Sequence, residues 1–341
     1  MSLFKAGKAV TLLDSHRDLA KLILAHLVAD GTFVDSQRVE RLLYLDIPEA
    51  LRHDRYLPLN VLTGSAVPDD VLAEQIADAW KRAWPELRAR TPTFENILNH
   101  SIMVLRANCL PLTALADLLT DTGYRNRLLP QVHDPQVARF SKDRMDQRGK
   151  EAPLMRESTL NRADLLTFSK VLRYSLSQRE NLLDFRTLLD SNTSCLINLV
   201  LPSPCARRLL GCLLTVSLEQ AALSRAEVPG PERQMSHHPL LDKFSQFTDQ
   251  SEEALTRLLS ETRKYRLFLW LAHQNWTQAS DALKGALQDV GLEMVMKVGR
   301  LDAEYSARLF GLVNPLQVKH QVHDAASQDP SHPVFASLVE Q

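Results

Sequence analysis

The chemistry open to this chain is concentrated where short apolar runs end in a polar residue. Ala9 to Asp14 reads AVTLLD, Leu42 to Ile47 reads LLYLDI, and Leu240 to Asp242 reads LLD just before Lys243. Further on, LFLWLAHQ ends at Gln274. A carboxylate or amide at the carboxyl end of a parallel strand stands on the side where open α/β sheets bind ligands. Each also has a plainer role. Asp242 ends a strand, Lys243 is a solvated side chain, and Gln274 caps the following helix in competition with Asn275 and Thr277.

One further string has the look of phosphate chemistry. AGKAV, from Ala6 to Val10, holds a Gly-Lys pair such as closes the loop G-x-x-x-x-G-K-[ST]. No strand precedes it, no Ser or Thr follows Lys8, and it leads into a strand where a phosphate loop leads into a helix. It reads as a turn. The four cysteines, Cys109, Cys195, Cys205 and Cys212, form no C-x-x-C pair and have no His at ligand spacing, so they read as reduced, mostly buried thiols.

The elements around these residues alternate. AVTLLD is followed by the helical pattern DLAKLILAHL, and LLYLDI by a polar loop with two prolines, a βα alternation that predicts a parallel sheet. From about Pro68 to Asp190 the pattern is helical throughout, as in DVLAEQIADAWKRAW and TFENILNHSIMVLRA. Within it, SKDRMDQRGKEAPLMRESTLNR is so charged that it reads as an exposed linker or a fraying helix. Strands return with SCLINLVL, a strand before Lys243 shortened by Pro239, RLFLWLAHQ and LEMVMKVG, separated by helices. The expected organisation is an α/β core in two parts, 1–66 and 191–325, around an all-helical insertion, 67–190, with a polar tail over 326–341.

Composition sets few limits. At 341 residues, 45% hydrophobic and 24% charged, the chain can bury a full core. A formal net charge of -1 supplies no global field for nucleic acid, so any such contact must come from a local basic surface or a pore built by several subunits. No apolar run approaches the roughly 20 residues that span a bilayer. A cytoplasmic location is expected.

Taken in order, AGKAVTLLDSHRDLAKLIL, LPLNVL, LLTDTGYRNRLL, INLVLP, RRLLGCLL, LLDKFSQF, LLSETRKYRLFLWLAHQNWTQ and VGLEMVMKVGRLDAEYSARLFG resemble the HerA/FtsK-like P-loop ATPases. They are most similar to TraG/TraD-type conjugative coupling proteins and their type IV secretion DNA-binding relatives. The resemblance runs over nearly the whole chain. It implies a RecA-like parallel sheet, ATP with Mg²⁺, DNA as the substrate moved, and a homo-oligomeric ring or a complementing ATPase subunit as partner.

The resemblance also locates departures. The family's Walker A segment has no counterpart, and the chain is expected to start after it. In the family an Asp-Glu pair orders Mg²⁺ and polarises the attacking water; here Asp242 keeps the metal role while Lys243 stands where the Glu belongs. Loss of a general base costs roughly 10²- to 10⁴-fold. Gln274 matches the glutamine that senses the γ-phosphate. Lys297 matches an arginine supplied to the neighbour's phosphate, with Arg300 three residues on, and lysine is a point charge where arginine is a planar fork. Asp14, His16 and Asp18 match the family's D-P-H-G-D-L with Ser15 and Arg17 replacing Pro and Gly. These departures imply a degenerate or truncated ATPase-like subunit, with two alternatives: a non-enzymatic protein- or DNA-interaction module on the same scaffold, or a fragment of a longer ATPase.

Overall fold

In a computed structural model, residues 1–310 are described except 17, 35, 64–66, 85–91, 144, 146–150, 228–234, 244–258, 260, 277–280 and 288–289. Arg17 and the expected tail therefore lie outside the described residues. The described chain divides into two compact units, one of residues 1–273 with 278–290, the other of 274–277 with 291–341.

The first unit is built on a parallel sheet. Its strands are β1 (Ala9–Asp14), β2 (Leu42–Asp46), β3 (Ser194–Asn198), β4 (His237–Asp242) and β5 (Trp270–Ala272), ordered β2-β3-β1-β4-β5. This is the α/β parallel-sheet class expected from the alternation of apolar strands with helices. After a short α1 (Ser2–Lys5), β1 feeds α2 (Asp18–Ala29), whose Ala20 packs with Leu12 and Leu196. Leu19, Ile23, Leu42, Tyr44 and Leu240 close around that centre, so one helix covers the middle of a sheet face. A small helix, α3 (Ser36–Glu40), precedes β2.

Between β2 and β3 the described elements are helices. The chain runs through α4 (Ile47–Arg52), α5 (Asp69–Ala83), α6 (Pro92–Ala107), α7 (Leu115–Thr120), α8 (Thr122–Leu128), α9 (Pro135–Asp143), α10 (Glu151–Phe168), α11 (Lys170–Ser175) and α12 (Phe185–Asp190). The charged stretch read as a linker or fraying helix enters α10, an 18-residue helix. This helical stretch lies within the first unit and packs on α13 (Pro204–Leu223) through α5. Gln220 Nε2 donates to Gln75 Oε1 at 3.0 Å across that contact, both side chains buried. α13 starts at an Ser203 cap with Pro204 in its first turn, and is buried on most sides.

Two expectations fail. Pro239 does not shorten β4, which runs six residues and pairs with β1 from Ala9↔His237 to Leu13↔Leu241. What it shortens is β5. His237 N donates to Arg266 O on the β5 side, and two residues on the same side meets Pro239, which has no N–H. Pairing resumes at Leu240↔Trp270, leaving β5 three residues long. The second failure is LEMVMKVG, which forms no strand: Leu292, Met294 and Met296 are exposed at 65%, 66% and 83%. An apolar run carries β-propensity, but a strand exists only where another edge accepts its backbone. Two short helices, α14 (Asp281–Leu287) and α15 (Arg300–Phe310), complete the described elements.

Candidate functional site

The carboxyl edge of the sheet carries a polar row set by register. Asp46 pairs with Asn198, Asn198 with Asp14, and Asp242 follows the pair Leu13↔Leu241, so four neighbouring strands end in Asp, Asn, Asp and Asp at one level. Two of these carboxylates are committed to the fold. Asp14, fully buried, accepts from the backbone N–H of His16 at 2.8 Å and of Ala20 at 2.8 Å, fixing the turn into α2. Asp46 caps α4 by accepting from Glu49 N at 3.1 Å and also receives Asn198 Nδ2 at 3.0 Å.

Asp242 differs: it is only partly buried, and among the described residues it caps no helix. Burial, with the Asp14 carboxylate beside it, raises its carboxyl above the usual range, against the pull of Lys243 and His16. A cation near Asp242 would relieve that repulsion. Lys243 already supplies one, from a backbone in the left-handed region, φ 51, that costs an ordinary side chain roughly 1–2 kcal/mol. The expected metal-side Asp and its lysine neighbour thus sit together with Asp14 and His16. Gln274, Lys297 and Arg300 belong to the second unit. There Gln274 and Lys297 are exposed, and Arg300 makes an exposed ion pair with Glu304 at 3.4 Å.

The Gly-Lys turn lies at the amino end of β1, on the edge of the sheet opposite Asp242. Ala6 N donates to Ser2 O at 2.9 Å, Gly7 N to Phe4 O at 3.0 Å and Lys8 N to Leu3 O at 2.9 Å, so these amides close α1 and none is left for an anion. Gly7, at φ 76, turns its carbonyl toward Arg41 Nη2 at 2.9 Å and Asn192 Nδ2 at 3.0 Å. The turn then enters β1, as its sequence predicts. The residues present here do not fit a triphosphate cradle, and among the described residues no three His, Cys, Asp or Glu side chains group as metal ligands. Nor is any described helix long and apolar enough to cross a membrane.

No family model matches the chain, and no curated protein matches it. Solved structures that are similar include the bacterial conjugative coupling protein TrwBdeltaN70 in an unbound form, at 16% identity and TM-score 0.49 over 84% of this chain. The plasmid coupling protein TrwB with ADP and Mg²⁺ is similar at 15% identity and TM-score 0.48, over 89% of this chain and 75% of that one. VirB4 of Thermoanaerobacter pseudethanolicus is similar at 12% identity and TM-score 0.45, over 89% of this chain and 81% of that one. The chain spans 61% of the length of the first of these.

Sequence reasoning missed a second polar cluster, at the amino end of β4. His237 is buried, with Nε2 2.7 Å from Thr11 Oγ1. Beside it Arg225, 1% exposed, donates to Met235 O and Tyr265 O at 3.1 Å each and pairs with Asp190 at 3.2 Å. Burial, then the Arg225 charge and His238, pushes the His237 imidazole down to about 3. Its neutral ring ties β4 to β1, a structural role. Nothing in the pattern HHPLLD separates it from a solvated histidine.

Proposed function

We propose that this chain is an ATPase-like subunit of the DNA-translocase type, related to conjugative coupling proteins, that binds nucleotide poorly and does not hydrolyse it. The observation carrying the second half is Lys243, beside Asp242 at the carboxyl edge, and the Gly-Lys turn at the amino end of β1 supplies no phosphate site in compensation. Ala6, Gly7 and Lys8 spend their amides on α1, and Lys243 follows Asp242 where an acid would activate water. The first half is supported by the order of sequence motifs around a parallel sheet whose Asp242 ends β4 at the carboxyl edge.

In this reading Asp242 is the remaining metal-side carboxylate and Gln274 the γ-phosphate sensor. Lys297 and Arg300 are the cations offered across a subunit boundary in a homo-oligomeric ring or to a complementing ATPase subunit. DNA is the substrate class. A thermal shift titration with Mg·ATP tests the binding claim. With a Kd of tens of millimolar, millimolar ligand stabilises by about 0.1 kcal/mol or less, a shift near zero. A saturable rise that reports micromolar affinity would contradict the proposal.

A further inference from the structure

In the helical stretch, the packed pair α5 and α6 leaves a groove of about 210 Å³ between them. It is small beside the roughly 300–1,000 Å³ of a typical small-molecule pocket, and suits one side chain. Two amides in its wall have an unfilled end. Gln75 is 4% exposed and makes one hydrogen bond among the described residues, to Gln220, so half of its amide is unused. On the facing helix, Asn99 Oδ1 is buried and has no donor among the described residues. A buried carbonyl oxygen in that state is costly, and it marks a place for a donor that the chain itself does not supply.

The charged groups of the wall are mostly acceptors too. Glu74 and Asp78 line the groove from α5 and Glu95 from α6. Lys81 Nζ lies 3.5 Å from Asp78 and 3.3 Å from Glu95. Both distances are long against the ~2.7–2.9 Å of a charge-assisted hydrogen bond, so the ammonium spans the two acids without closing on either. Glu74 is exposed and has no ion pair among the described residues. Val71, 38% exposed, stands one turn before Glu74 on the same helix face and gives the groove an apolar wall.

The complement of such a wall is a donor-rich cation on an apolar stem. Three acids repel an anion, and among the described residues no three ligating side chains group for a metal ion. A guanidinium carries five N–H donors in one plane and no acceptor, so it can serve a carboxylate and an amide oxygen together, where an ammonium is a point charge. We propose that the α5–α6 groove binds an alkyl guanidinium, its stem along Val71 and its planar head among Glu74, Glu95 and Asn99. The arginine of a partner polypeptide and a free guanidino compound share that chemistry. The site is independent of Asp242 and of the nucleotide reading.

Isothermal titration calorimetry of the full chain with N-acetyl-arginine amide tests this, with N-acetyl-citrulline amide as its neutral match in shape and agmatine as a free guanidino compound. Expected is saturable, salt-sensitive binding in the millimolar range usual for a ligand of this size, about tenfold or more tighter than that of the citrulline compound. Glu74→Gln, at an exposed position that folding does not depend on, and Asn99→Leu should each weaken it by about fivefold or more. Lys81→Met removes the competing ammonium and should tighten binding, a gain that misfolding cannot produce. Tighter binding of the blocked arginine than of agmatine assigns the groove to a polypeptide's arginine, and the reverse order to a free cation. No saturable binding of either guanidino compound, equal affinity for the citrulline compound, or affinities unmoved in both Glu74→Gln and Asn99→Leu would each overturn the assignment.

Discussion

At the scale of single residues, the carboxylates of the sheet edge show how identical side chains acquire different work. Asp14 and Asp46 end strands and turn back to cap the helices that follow, whereas Asp242 ends β4 and is left half-buried beside a like charge. The cap that Asp46 gives α4 through Glu49 N was not read from the sequence, and Asn198, which completes the polar row, carried no signal. His237 was equally silent, since burial beside Arg225 is a property of the packed chain. Its consequence is measurable. The unfolded imidazole takes a proton below about 6.5 while the folded one resists down to about 3. Stability from this group is therefore complete above the unfolded value and is lost as pH falls, at up to about 1.4 kcal/mol per pH unit. Urea denaturation between pH 7 and 5, above most carboxylate titration, should show this slope in the wild type and a flatter one in His237→Gln. Equal slopes would remove His237 from the account.

Among the elements, strands with β-rich runs and helices with clear periodicity were legible, and their partners were not. Apolar periodicity placed α2, α5 and α6 close to where they lie, because each buries a stripe, and the long apolar pattern placed α13, which is buried on most sides. It could not tell that LEMVMKVG finds no edge, or that Pro239 interrupts pairing toward β5 and leaves β4 intact on β1. Both outcomes depend on which neighbour a backbone N–H faces. The helical stretch poses a related question, since α5 is shared between its own bundle and α13. Trp80 on α5 is fully buried and stacks on Trp84 at 5.9 Å. Trp80→Ala should cost about 3–5 kcal/mol, and one melting transition, followed by both near- and far-UV circular dichroism, should move as a whole. A mutant in which the helical signal alone melts early would mean that the bundle folds separately from the sheet.

For the whole molecule, a near-neutral chain with a parallel α/β sheet and a helical stretch is compatible with many activities. Its functional reading rests on one edge of the sheet. There the geometry keeps a carboxylate at Asp242 and places the cation of Lys243 next to it, while at the opposite, amino edge the Gly7-Lys8 turn spends its amides on a helix end. Steady-state phosphate release from Mg·ATP, with and without single-stranded DNA, is the direct measurement. The account predicts no turnover above background in either condition. Turnover stimulated by DNA and abolished by Asp242→Ala would contradict it.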